Sequence, residues 1–133
     1  MKKTVLTFLV VFCTALLVEG QNLSVESIQF GTGVENRNIV DADSVFSNTV
    51  ERVYCFTQVN GAENSTTITH VWYYEDQEKA RVELPVNGSQ WRTWSSKFIL
   101  ENWTGQWSVD ILDSSGTVLA SKTFRIDESV ANQ

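Results

Sequence analysis

Val50 to Val59 reads as a strong strand, with Val53, Cys55, Thr57 and Val59 on one face and Tyr54 and Phe56 on the other. A period of two means a half-buried strand. The same period recurs along most of the chain. Leu23 and Val25 change phase to Ile28 and Phe30, which predicts a first strand with a bulge or kink. Thr66 to Glu75 sets Ile68, His70, Trp72 and Tyr74 against Thr67, Thr69, Val71 and Tyr73, and apolar groups on both faces predict a central strand. Ala80, Val82, Leu84 and Val86 alternate with Arg81 and Glu83, while Pro85 assigns this strand to a sheet edge or strand end. Further strands follow at Gln90 onward, at Gln106–Leu112 with Trp107, Val109 and Ile111 inward, and at Thr117–Ile126.

The connections carry turn chemistry. Asn87-Gly88 is the strongest hairpin signal in the chain, and a two-residue turn there requires both residues at positive φ. In that register Leu84 faces Trp91 and Arg81 faces Trp94, so Trp94 lies on the outer face under Arg81. A bulge near Ser95-Ser96 then returns Phe98 and Leu100 to the core. Asp113-Ser114-Ser115-Gly116 closes a second hairpin, and Glu101–Gly105 turns. Gly31–Asn48 is the least regular stretch, a long loop that Val45 and Phe46 tack to the core. No segment beyond residue 20 has a helical period. About seven short strands at this spacing predict an all-β fold, an antiparallel β-sandwich of immunoglobulin-like character, with a barrel as second choice.

Domain organisation follows from the ends. Residues 1–20 read as an export signal: Lys2 and Lys3, an apolar run from Val5 to Val18, and cleavage near Gly20-Gln21. The remaining divisions are an N-terminal strand and long loop at 21–48, a sandwich core at 49–127 and a polar tail at 128–133. Past residue 20 the chain keeps 8 basic and 15 acidic residues, a net charge of −7. That charge repels nucleic acid and anionic lipid. A single cysteine, Cys55, also remains, so no intrachain disulfide can form and the aromatics must stabilise the domain.

Candidate chemistry is sparse. The one histidine, His70, sits mid-strand among aromatics, and a nucleophile–base pair would have to join it to Cys55, Ser95 or Ser96. Its ordinary role is structural, with both ring nitrogens hydrogen-bonded at a sheet surface. No nucleophile elbow, zinc-binding helix or phosphate loop is present, so the expectation is a non-enzyme with no catalytic residues, metal or cofactor. Asp41, Asp43, Glu75 and Asp76 match no complete calcium loop and have a turn-capping reason to be where they are. Asn22, Asn64, Asn87 and Asn102 each begin an Asn-x-Ser/Thr triplet and are candidate glycosylation sites. Tyr73, Arg81, Trp94 and Trp103 are the candidate ligand-binding residues, because flat rings on a rigid sheet stack on sugars or anchor proteins. Trp72, Trp91 and Trp107 are assigned to the core.

His70-x-Trp72, Trp91-Arg-Thr-Trp-Ser-Ser96, Gly105-x-Trp-x-Val109, Asp113-x-x-Gly116 and Phe124-x-Ile126 together resemble a bacterial family of exported or membrane-attached domains classified only as being of unknown function. The similarity runs from about Glu51 to Ile126. The closing Gly-x-Trp-x-Val hairpin is common among immunoglobulin-like sandwiches. The resemblance implies a fold and a compartment (secreted, periplasmic or cell-surface) and no activity. The functional expectation is a secreted interaction or structural domain, partnered by an envelope or extracellular protein or by its own copies. The alternative is a carbohydrate-binding module that takes a glycan on the surface aromatics.

Overall fold

The computed structural model describes residues 22–130 and contains ten strands and no helix in that span. The seven long strands match the alternating stretches: β1 (Ser24–Gly31), β5 (Arg52–Asn60), β6 (Thr66–Tyr74), β7 (Gln77–Val86), β8 (Gln90–Phe98), β9 (Gly105–Leu112) and β10 (Val118–Asp127). Three short strands, β2 (Gly33–Glu35), β3 (Asn38–Val40) and β4 (Val45–Ser47), come from the stretch expected to be an irregular loop. One sheet has the order β1-β5-β8 and the other β4-β10-β9-β6-β7, with β2 and β3 forming a separate hairpin. This is an all-β sandwich and not a barrel. Its chain passes between the sheets from β1 to β4 and again after β4, β5, β7 and β8, a Greek-key arrangement. The expected export signal at 1–20 and the end of the polar tail lie outside the described residues. β1 belongs to one sheet and β4 to the other, so residues 22–48 contribute a strand to each.

Burial follows the alternation. Val53, Cys55, Thr57 and Val59 of β5 face Ile68, His70 and Trp72 of β6 across the sandwich, all fully buried. Phe124 of β10 is the hub of this interior. Its ring lies 4.6 Å from Phe30, 6.1 Å from Phe46, 6.1 Å from Trp72 and 5.9 Å from Trp107, so it touches both sheets and the β4 segment. The phase change in β1 is a bulge between Val25 and Ser27. β6 is central, between β7 and β9, and Pro85 does lie on an edge strand. Burial raises the Cys55 thiol far above its ordinary range, which makes it a core hydrophobe.

The expected hairpin at Asn87-Gly88 is absent. β7 pairs with β6 and β8 pairs with β5, so Asn87-Gly88 carries the chain from one sheet to the other. Neither residue has the positive φ that a type I′ turn requires. The tight two-residue turns occur where no glycine marks them. Glu75 (φ 45°) and Asp76 (φ 67°) join β6 to β7 with Tyr74 opposite Gln77, and Asn36 (φ 49°) and Arg37 (φ 59°) join β2 to β3. Tertiary pairing imposes a left-handed backbone on these side chains, at roughly 1–2 kcal/mol each.

Two further corrections follow from the new pairing. Arg81 is not above Trp94, because they belong to different sheets. The β5–β8 register runs without a shift from Arg52–Phe98 to Asn60–Gln90, so no bulge turns Phe98 inward. Phe98 and Leu100 stay exposed and Ile99 enters the core instead. Likewise Phe46 anchors its segment while Val45 is exposed.

The β2–β3 hairpin folds back against β1 and β5. Gly31 permits this: a Cβ there would fall 2.3 Å from the carbonyl oxygen of Val40. Asp76→Gly is predicted to raise unfolding stability by about 1 kcal/mol by relieving the left-handed strain. Gly31→Ala should lower it and increase amide exchange in residues 33–40. Urea unfolding and hydrogen exchange check both, and a destabilised Asp76→Gly protein would contradict the strain.

Candidate functional site

Three strands place a polar residue at an inward position, and the three meet. Thr57 of β5, His70 of β6 and Ser95 of β8 all lie between the sheets, with His70 fully buried. His70 Nδ1 is 2.6 Å from Ser95 Oγ and Nε2 is 3.2 Å from Thr57 Oγ1. Trp72 Nε1 donates to Ser95 Oγ at 3.1 Å, and Thr57 Oγ1 donates to the Thr93 carbonyl at 3.1 Å.

These contacts fix every proton. The Thr93 carbonyl can only accept, so it takes the single Thr57 hydroxyl proton. Thr57 Oγ1 must then accept from His70 Nε2–H. Nδ1 is left as an acceptor, filled by the Ser95 hydroxyl, whose oxygen accepts the Trp72 indole N–H. The relay runs in one direction, Trp72 to Ser95 to His70 to Thr57 to Thr93, with a neutral imidazole. His70 thus lies in the interior rather than at a sheet surface.

A serine donating to an imidazole resembles an activated nucleophile. Here both groups are under the sheets, and Ser95 Oγ is also held by Trp72. The open surface grooves are lined by other residues, such as Val25–Gln29 with Ala120–Lys122. Protonating His70 would give Nδ1 a hydrogen that opposes the Ser95 hydroxyl. Burial itself lowers the imidazole pKa from 6.5 to about 4.

The four candidate binding residues occupy three surfaces. Tyr73 (half-buried) and exposed Arg81 lie on the outer face of the five-stranded sheet, where Arg81 pairs with Glu78 at 2.7 Å. Trp94 lies on the outer face of the three-stranded sheet, 36% exposed, its ring stacked on Phe56 at 5.9 Å and 11°. Trp103, in the loop between β8 and β9, is half-buried at one end of the sandwich beside Tyr74 and Trp107. Of the other three tryptophans, Trp72 and Trp107 are fully buried and Trp91 is half-buried under Arg37, 5.6 Å from the ring.

Around Trp103 stand cations that sequence pattern did not single out. Lys79 Nζ is 5.3 Å and Lys97 Nζ 5.2 Å from the ring centroid. Lys79 is the extra residue in a bulge between the Trp72–Ala80 and Tyr73–Glu78 pairs, a device that re-aims a side chain. Arg52 donates to Ser96 Oγ at 2.9 Å on the neighbouring strand. Burial, and then the charges of Arg52 and Lys79, lower the Lys97 pKa.

The acidic turns cap backbone. Asp43 Oδ1 accepts from the Ser44 and Val45 amides, and Asp113 Oδ1 from the Ser115 hydroxyl and the Ser115 and Thr117 amides. The Ser115 hydroxyl is the main reason the Asp113 pKa is lowered. Among the described residues no group of three metal-ligating side chains converges. Asn22, Asn64, Asn87 and Asn102 are all exposed. Asn64 and Asn87 line one open groove, and the Asn22 carbonyl lies against Gly61 of the same groove. Asn102 is in the β8–β9 loop, at the far end of β8.

The family model described as protein of unknown function (DUF2914) matches residues 65–126. The match covers β6 to β10 up to Ile126, and it starts after β5 rather than at Glu51. No curated protein matches the chain.

The relay predicts a specific pH dependence. The unfolded imidazole takes a proton near its ordinary 6.5, whereas the native one resists until about 4. Its stabilisation is therefore complete above about pH 6.5 and is lost as pH falls toward 4, by roughly 3 kcal/mol in total. Denaturant titrations from pH 7.5 to 4.5 should show that loss, and His70→Gln should be less stable at pH 7.5 and lack that part of the slope. Identical slopes in the two proteins would contradict the relay.

Proposed function

We propose that the chain is a non-catalytic binding domain of the cell envelope or extracellular space that takes an extended polypeptide along the free edge of β8. The observation that carries this reading is the edge itself. β8 ends the three-stranded sheet, holds a regular nine-residue register with β5, and turns Trp94 and Phe98 (48% exposed) to solvent on the same outer face. An unpaired row of backbone N–H and C=O groups beside two aromatic anchors is what strand addition uses. Phe56 behind Trp94 is buried and holds that ring in place at little entropic cost.

On β8 the carbonyl of Phe98, the last residue of the strand, accepts from Lys97 Nζ at 3.2 Å, and the other edges are blunted further. On β1 the carbonyls of Ile28 and Phe30 are taken by Lys122 Nζ at 2.8 Å and the Asp43 amide at 3.0 Å. β7 carries Pro85, and β4 is three residues long. The apolar sequence of residues 1–20 supports export. The dispersal of Tyr73, Arg81, Trp94 and Trp103 over three surfaces gives a sugar chain no continuous aromatic platform, so a polypeptide fits better than a glycan. The buried relay supports a non-catalytic role, since a substrate would reach Ser95 only by parting the sheets.

A photo-crosslinking residue in place of Trp94 or Phe98 should give a protein adduct in the exporting cell, and one in place of Tyr73 on the opposite sheet should not. Adducts that are equal at all three positions, or absent at Trp94 and Phe98, would refute docking at β8.

A further inference from the structure

We infer that the cations around Trp103 form a carboxylate-binding site, which selects an acidic, extended segment of a partner polypeptide laid along β8. The inference rests on the β8 reading and names the chemistry of its partner.

Lys79 reaches Trp103 from the edge strand of one sheet and Lys97 from the edge strand of the other, so the two ammonium groups close on one ring at the C-terminal end of β8. Arg52 is held at the same end of β8 through Ser96 Oγ, and its charge reaches Lys97. Among the described residues the side-chain ion pairs are Arg81–Glu78 and Arg125–Asp127, so none of these three cations has a carboxylate within 4.0 Å. The indole face partly compensates two ammonium groups but not their mutual repulsion. That repulsion acts on Lys97 together with its burial, and an anion would relieve it. The arrangement is unusual in a chain whose net charge is −6.

The same charges identify the occupant. β8 carries Arg92 and Lys97 and no acidic residue. Two copies of β8 paired edge to edge would set like charges against each other, which disfavours self-addition. A strand with Glu or Asp facing the end of β8 would instead place a carboxylate at Lys97 and Lys79, within reach of the Arg52 charge. Its backbone would pair with the free edge of β8. Arg92, on the opposite face of β8, is already held by the Arg37 carbonyl and the Asn38 side chain.

The test uses fluorescently labelled eight-residue peptides at low ionic strength, one alternating threonine and glutamate and one alternating threonine and glutamine. The glutamate peptide should bind at least about tenfold tighter, and its advantage should shrink as salt is raised. Lys79→Gln with Lys97→Gln should reduce it to the level of the glutamine peptide, and Lys97→Arg should restore much of the difference. Thermal melts confirm that the variants fold. Trp94→Ser with Phe98→Ser should weaken both peptides together.

If the lysine variants bind the glutamate peptide as the parent does, or neither peptide binds, the inference is overturned. If both peptides bind equally and only the aromatic variants lose them, docking at β8 stands and the carboxylate site falls. Inorganic sulfate that displaces the peptide more effectively than sodium chloride of matched ionic strength would reassign the cluster to free anions.

Discussion

Two sheets with no disulfide between them must be joined by contacts that meet in the middle, and here they meet at Phe124. Four aromatic neighbours drawn from β1, β4, β6 and β9 contact its ring. Aromatic pairs contribute roughly 0.5–1.5 kcal/mol each beyond the area they bury. Only the Phe30 pair spans the two sheets; the other three tie β4, β6 and β9 to β10 within the five-stranded sheet. The hub also explains why β4 can be only three residues long: Phe46 is inserted into the hub while backbone pairing to β10 is confined to Arg125–Asp127.

Aromatic packing alone leaves register loose, because rings tolerate sliding. The relay through His70 does not. Each of its donors has one acceptor, and slipping β5, β6 or β8 by one residue would turn its member to the outer face. Such a slip would strand buried polar groups at about 1–3 kcal/mol apiece. The buried apolar side chains of both sheets thus provide the attraction between them, and the polar relay provides their alignment.

The facing of residues within each strand was legible because period-two alternation is local. Val53 to Val59 and Trp107 to Ile111 point as their spacing requires. Which strand pairs with which is not local, and there the reading of Asn87-Gly88 failed. A dipeptide that favours a type I′ turn is overridden when β7 finds its partner in β6 and β8 in β5. Conversely, Glu75-Asp76 lacks the glycine of an Asn-Gly or Asp-Gly turn yet adopts that turn, because Tyr74 and Gln77 are already registered. The relay did leave a trace in the sequence. Thr57, His70 and Ser95 are polar residues at apolar positions of three separate strands, and buried polar groups need one another. The cluster at Trp103 left none, since a bulge aims Lys79 and only the fold brings β7, β8 and the β8–β9 loop together.

A saturated interior has a consequence for where work can be done. Every hydrogen-bonding group of the relay is committed, so no ligand can use it without breaking the alignment of the sheets. Interaction is left to edges and outer faces, and most of these are closed by an inward lysine, a proline or sheer shortness. On β8 the means of closure is positive charge. Basic side chains on an edge strand repel a second identical edge, which guards against aggregation. The same charges attract an edge of opposite sign, so one feature can keep copies of this chain apart and still admit an acidic strand.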